Sequence, residues 1–354
     1  MVGMPLRALD TPVLVADLDV LEANLARMAA FFAGKPARFR PHFKNHRVLA
    51  LALRQIEAGA IGITCSRLWE AERLAQAGIQ SILLTSEIAG ESPLREWAEL
   101  SRESEVMAVV DNAQVVDDMA RLAGDGHATL NVVVDIDLGL KRCGVPPGPA
   151  AAALAQRAVA RGLRFRGVMG YEGHLQLLPP GPEKERVVKH ALESLVGSKK
   201  LIECRGIPVE IVSCGGTGDY SISGTWPGVT ENQAGSFLLM DTGYAPFAPD
   251  FQPALSVLAT VVSKTAGERI VADAGVKAIS GERGLPSVKG INGLRLRALH
   301  AEHAPIDLVD PCAPVEVGDK IELAVRYHDG TVHLHQRMYG VRKGIVEEVF
   351  TIEH

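Results

Sequence analysis

Arg38-Phe39-Arg40-Pro41-His42-Phe43-Lys44-Asn45-His46 decides how the rest of the chain reads. In a strand, successive side chains point to opposite faces. Phe39, Pro41 and Phe43 then share one face, and Arg40, His42 and Lys44 share the other. An apolar outer face with an inner row of basic side chains suits a β/α-barrel strand whose chemistry lies at its C-terminal end. A lysine closing such a row, beside imidazoles and a guanidinium, is placed for a lowered pKa and for Schiff-base formation. The same pattern also fits a solvated lysine just past a strand end.

Outward from this stretch the chain alternates. Thr11–Asp17 reads as a strand entered through Thr-Pro, Val20–Phe32 as an amphipathic helix and Arg47–Ala58 as a second helix. Strand-like runs follow at Ile61–Cys65, Ser81–Thr85, Val106–Asp111, Leu130–Asp137, Phe165–Tyr171, Val209–Cys214 and Gly235–Asp241. Helical patterns separate most of them, at Leu68–Ala77, Ala113–Leu122, Ala150–Val159 and Lys184–Arg205. With the lysine strand these make about eight strand–helix units, which predicts an α/β fold, a (β/α)8 TIM-type barrel. Past Pro253 the helical period disappears. Short β-like segments take over at Ser256–Val262, Arg269–Ala272, Lys320–Val325, Thr331–His335 and Ile345–Phe350. The expected organisation is an N-terminal strand segment over 1–20, a barrel over 21–250 and a mostly β domain over 251–354.

The 354 residues are enough for both domains. At 47% hydrophobic, 22% charged and a net charge of −5, the composition is that of an ordinary soluble enzyme. No block of like charge points to nucleic acid or an anionic membrane. The first ten residues lack a signal pattern, and no apolar run approaches membrane-spanning length, so the expected location is cytoplasmic. Five cysteines, an odd number without metal-type spacing, read as reduced thiols.

The string RPHFKNH resembles the R-P-H-x-K-x-H motif of the D-threonine aldolase and D-serine dehydratase family, pyridoxal phosphate (PLP) enzymes of the alanine-racemase-like fold. The resemblance implies that Lys44 carries the cofactor, with His42 beside it, and that the N-terminal strand packs into the β domain. Asp135 to Val145 resembles the family's D-x-G-x-x-R-C-G-V segment, which puts Arg142 beside the cofactor ring, on its phenolic oxygen or on the substrate carboxylate. Tyr171 matches a family tyrosine near the pyridine nitrogen, and His174 is a possible base. Many relatives have a histidine after this tyrosine, where this chain has Glu172. Cys214-Gly215-Gly216-Thr217-Gly218 resembles the family's G-G-G-T-G segment, and its glycines would let backbone N–H groups approach a phosphate. Gln233, Gly235 and Ser236, from a segment like E-x-Q-A-G-S-Y, are expected to support that phosphate or the barrel floor, with Tyr244 a weaker candidate.

Near the C-terminus the chain departs from the family pattern, an H-x-D or H-x-C metal pair. Alignment on Thr331-Val332-His333-Leu334-His335 puts Asp329 on the second ligand and Tyr327 on the first. Tyrosine is a poor ligand for a divalent ion unless ionised. Three readings follow. His328 or His303 joins Asp329 in holding manganese, magnesium or zinc; or Tyr327 serves as an acid–base group; or Tyr327 to Thr331 is an Asp-Gly hairpin turn in which Asp329 accepts positive φ.

The implied activity is retro-aldol cleavage of a D-β-hydroxy-amino acid, with a homodimer as the implied assembly. The alternatives are a D-serine-type dehydratase or a racemase using Tyr327 as second base. A non-enzymatic PLP carrier would lack the second domain. A sugar-phosphate barrel enzyme would use Lys44 and the glycines without a Schiff base.

Overall fold

The computed structural model describes residues 1–124, 130–265 and 268–354. In chain order β1 (Val13–Asp17) and α1 (Leu18–Phe32) lead into β2 (Arg38–Phe39). Then come α2 (Leu49–Glu57), β3 (Ile63–Cys65), α3 (Leu68–Gln76), β4 (Ser81–Leu84), α4 (Glu91–Leu100) and β5 (Glu105–Val110). They are followed by α5 (Ala113–Gly124), β6 (Asn131–Ile136), α6 (Pro149–Ala160), β7 (Arg164–Gly170), α7 (Pro182–Cys204), β8 (Ile211–Cys214), α8 (Tyr220–Ser223) and β9 (Glu231–Asn232). The chain separates into two compact units, Met28–Lys44 with Leu51–Gly235, and Met1–Arg27 with Asn45–Ala50 and Ser236–His354.

The first unit is the barrel. Its eight strands are parallel in the order β2-β9-β8-β7-β6-β5-β4-β3. A bridge between His42 and Thr64 joins the end of β2 to β3 and closes the ring. β5 and β6 are buried almost throughout, as expected for strands covered on both faces. Leu83, Met107, Val109, Val133, Met169 and Ile211, from β4 through β8, form one apolar cluster. Each such side chain contributes roughly 1.5–3 kcal/mol through burial. Inside this apolar ring Arg40 donates from Nε and Nη2 to the two oxygens of Glu231 at 2.6 and 3.0 Å. Both side chains are 4% exposed, so the pair ties the end of β2 to β9 without water.

The second unit adds β10 (Leu255–Thr265), β11 (Arg269–Ala272), β12 (Ser287–Val288), β13 (Leu294–Leu296), β14 (Ala304–Leu308) and β15 (Lys320–Ala324). It ends with α9 (His328–Val332), β16 (Arg337–Arg342) and β17 (Ile345–Thr351). Its sheet runs β13-β14-β11-β10-β1-β16-β17, with β15 pairing β10 and β12. β1 lies antiparallel to β10 and parallel to β16, with Leu14, Val15 and Ala16 buried.

Several elements differ from the sequence reading. The lysine strand is short: Pro41 has no N–H to give a ladder, and Phe43–Asn45 turn into a 3-10 helix. Gly235–Asp241 is not the last barrel strand; Glu231–Asn232 is. Phe237, Leu238, Leu239 and Met240 are all buried, and a continuous apolar run has no period to separate strand from turn. Thr331–His335 is no strand either, because α9 spans His328–Val332 and the strand comes after it as β16. Asp329 lies in that helix without positive φ, which removes the hairpin-turn reading. Along the chain, the second compact unit resumes at Ser236. All five cysteines are unbridged. Among the described residues no helix is long and apolar enough to cross a membrane.

Candidate active site

Lys44 is half-buried on the 3-10 turn that follows β2. Its backbone N–H reaches Nδ1 of the buried His42 at 3.4 Å. His42 Nε2 lies 3.4 Å from both Ser66 Oγ and Thr85 Oγ1, so hydroxyls after β3 and β4 orient the ring. Arg40, which the strand pattern put on the same face as Lys44, is paired with Glu231.

After β6, Asp137 Oδ1 accepts the N–H groups of Gly139 and Lys141 at 2.9 and 3.0 Å and shapes the loop that carries Arg142. Arg142 is exposed, its guanidinium 5.6 Å from the centre of the Tyr171 ring. His174 is exposed on the 3-10 turn after β7, and a Cβ on Gly139 would lie 3.3 Å from its Cε1. Sequence reasoning missed an acidic group here. Glu87, Asp111 and Cys143 present ligand-type atoms within 4.8 Å of one another. Beside them Asp135 is pushed up to about 8 by burial and by its bond to Glu87. Carboxyls at strand ends were the available signal.

After β8 the Gly215–Gly218 loop is shaped from behind. The N–H groups of Gly215, Gly216 and Gly218 donate to Glu172 Oε2, Asp219 Oδ1 and Gln176 Oε1 at 3.3, 2.8 and 2.9 Å. A Cβ at Gly216 would come within 2.7 Å of Gln176 Oε1, and one at Gly215 would strike Asn232 and Ser223. Thr217 is buried in the middle of the loop. Gln233 donates to Ser213 Oγ at 2.9 Å and braces the strand beneath, with the buried Gly235 following it.

In the second unit His328 is buried between carboxylates. Nδ1 meets Asp241 at 2.5 Å and Nε2 meets Asp329 at 3.0 Å. Burial opposes its charge, yet Asp329 and Asp241 outweigh that and raise it to about 10. Burial likewise works to raise Asp241, but the bonds from His328 hold it below the usual range. Asn45 donates to Asp329 at 2.6 Å and to Ser236 Oγ at 3.3 Å. Tyr327 is half-buried under the Arg283 guanidinium, 4.3 Å from its ring centre. Burial, then Asp329, raise its pKa. His303 is exposed before β14, its carbonyl held by the His300 N–H. Tyr244 is buried beside Asp241, whose Oδ1 accepts its N–H at 2.7 Å.

A closed parallel barrel with a lysine, an imidazole, an arginine and a glycine loop at the C-terminal ends of its strands defines a barrel enzyme of the alanine racemase kind. Comparison with known proteins narrows this. Residues 16–242 match the family model "Alanine racemase, N-terminal domain", and 254–341 match "Putative serine dehydratase domain". A D-threonine aldolase of Arthrobacter is 34% identical, over 99% of this chain and 94% of the relative. A 3-hydroxy-D-aspartate aldolase of Paracoccus denitrificans is 30% identical, over 99% and 93%. The crystal structure of a D-threonine aldolase from Filomicrobium marinum superposes with a TM-score of 0.95 at 33% identity, covering 99% of this chain and 97% of that one. Likeness of that extent leaves one assignment: the chain belongs to the D-threonine aldolase family.

Proposed function

We propose that this chain is a PLP-dependent aldolase that cleaves a D-β-hydroxy-amino acid between Cα and Cβ, releasing glycine and an aldehyde. The observation that carries the reading is Lys44 at the end of the first barrel strand, in a chain similar along almost its whole length to a D-threonine aldolase. The residues present suit the cofactor. Consecutive glycines where a Cβ would collide allow the close backbone approach a phosphate needs, and Lys44 offers the amine. When bound, PLP supplies an electron sink for the pair left at Cα as the bond to Cβ breaks.

Lys44 would hold the cofactor through its side-chain amine. Arg142 binds the phenolic oxygen or the substrate carboxylate, for which its two-pronged donor geometry is suited. Tyr171 would lie near the cofactor's pyridine nitrogen, as the family resemblance implies, and His42 flanks the lysine turn. His174 takes the proton of the β-hydroxyl as that oxygen becomes a carbonyl. Burial and Asp329 favour the protonated phenol of Tyr327, which suits it to give a proton.

The residues beside Tyr327 do not suit a divalent cation bound through His328. Nδ1 is held by Asp241, and Nε2 already meets both the Asp329 carboxylate at 3.0 Å and the Asn45 amide at 3.1 Å, so both ring nitrogens are taken. Turnover is therefore expected to survive chelation. The same reading carries, from the family resemblance, a homodimer and a cytoplasmic setting.

The test uses purified protein supplied with PLP, with and without EDTA, and D-threonine or D-serine as substrate. Glycine and acetaldehyde from D-threonine are expected in both conditions, and Lys44→Ala lowers kcat/KM by on the order of 10⁴-fold or more. Activity lost to EDTA and restored by manganese, magnesium or zinc would put a cation in the site. Pyruvate from D-serine, or inversion without aldehyde, would replace the aldolase by a dehydratase or a racemase.

A further inference from the structure

Behind the glycine loop lie two carboxyls for which retro-aldol chemistry has no use. Glu172 and Asp219 are both 0% exposed. Each lends one oxygen to the loop, Glu172 Oε2 to the Gly215 N–H and Asp219 Oδ1 to the Gly216 N–H. Their other oxygens, Glu172 Oε1 and Asp219 Oδ2, are buried and reached by no donor. The two carboxyls are nevertheless within hydrogen-bonding reach of each other. Buried carboxylate oxygens in that relation repel unless a proton lies between them.

Resting on the reading of this loop as a phosphate cradle, we propose that Glu172 and Asp219 are positioning residues that share one proton, and that this proton lets the Gly215–Gly218 loop accept a phosphate-bearing cofactor. With the proton in place the pair carries a single negative charge, spread over two carboxyls that hold the loop in shape. Without it, two full charges sit behind the loop, against the Gly215 and Gly216 N–H groups that donate to them, and repel an anion on its other side. Gln176 and Lys184 favour charge on Asp219, which matches a single charge held by the pair. Lys184 on α7 is the cation that acts on Asp219, and its Nζ donates to the carbonyls of Gln176 and Leu178 at 2.9 and 3.0 Å. On β9, Glu231 is committed to Arg40, and Cys214 on β8 is a buried thiol whose pKa is raised by burial, then by Glu172 and Asp219. Burial and Asp219 also raise Glu172, in keeping with a retained proton.

The experiment compares the full-length protein with Glu172→Gln and Asp219→Asn. Each amide keeps the acceptor for the loop and donates to the remaining carboxylate without a titrating proton. Dissociation constants are measured for PLP and for pyridoxal, which lacks the phosphate, from pH 7.5 to 9.5. Their ratio cancels the titration of Lys44. In the wild type the preference for PLP is expected to fall by roughly tenfold with rising pH, as for one charge about 10 Å away at an effective dielectric of about 20. In both variants the ratio stays level and matches the wild type at pH 7.5. Melting of the cofactor-free protein gives an independent reading. A carboxyl pair with a raised pKa stabilises at low pH and loses that contribution as pH rises through the folded-state value, so wild type falls relative to Glu172→Gln on alkalinisation. Identical pH profiles in wild type and variants, or failure of both neutral variants to fold, would overturn the proposal. Should neither PLP nor pyridoxal bind at all, the aldolase reading falls and takes the phosphate half of this one with it. The melting comparison would still decide the shared proton.

Discussion

Asp135 shows what barrel burial does to a single side chain. It is 5% exposed and pushed up to about 8, so the folded chain holds a proton that the unfolded chain releases near its ordinary value of 3.8. Between those values the folded state binds more protons than the unfolded one, and its stability falls as pH rises. The contribution is complete below the lower value and gone above about 8. Urea midpoints of wild type relative to Asp135→Asn should therefore decline from pH 5 to 8 and level off beyond. A flat difference would place the proton elsewhere. At the same scale His174→Gln is expected to lower kcat by roughly 10²- to 10⁴-fold while the PLP chromophore persists, as for loss of a general base. Unchanged kcat would remove His174 from the reaction. The motif matches pointed to Lys44, Arg142 and Tyr171; they were silent on Asp135, whose importance comes from Glu87 and burial, neither of which is a local property.

Among the elements, β7 and the loop after β8 depend on glycine for different reasons. At Gly167 a Cβ would strike the backbone of Ile211 on β8, with its carbonyl carbon at 2.7 Å. Backbone in a parallel ladder cannot move aside without breaking its pairing. Gly167→Ala should cost about 1–3 kcal/mol or more, read as a drop in urea midpoint or as insoluble protein. At Gly216 the obstacle is the Gln176 side chain, 2.7 Å from a Cβ. Gly216→Ala should lower the melting temperature less than Gly167→Ala and weaken PLP by about tenfold, because displacing Gln176 disturbs the Gly218 N–H that it holds. A variant that binds PLP normally would show that the loop is not the cradle. Element boundaries were readable wherever period and turn residues agreed, as from β3 to α7. They failed at Gly235–Asp241 and Thr331–His335, where burial on all sides and a short helix overrode the local pattern.

For the barrel as a whole, Arg40 with Glu231 ties β2, the strand that closes the ring on β3, to its other neighbour β9. A buried ion pair is weak evidence of net stabilisation, but breaking one half leaves a charge uncompensated. Arg40→Ala is expected to destabilise by about 3–5 kcal/mol, whereas Arg40→Met with Glu231→Leu should recover most of it. Thermal melting of the three proteins checks this. A double variant as unstable as the single one would mean that the pair's geometry, and not its charge, holds β2 to β9.

By itself the sequence determined the class of fold, the lysine and the family, because strand–helix rhythm and short motifs are local and survive in one dimension. Its periodicity could not show that β1 lies inside the sheet of residues near the opposite end of the chain, which only the family resemblance implied, since such pairing leaves no periodic trace. Nor could it show that His328 is held by two carboxylates, or that Glu172 and Asp219 meet behind the glycine loop. Those are meetings of residues far apart in sequence, and only tertiary packing decides which buried charges find a partner.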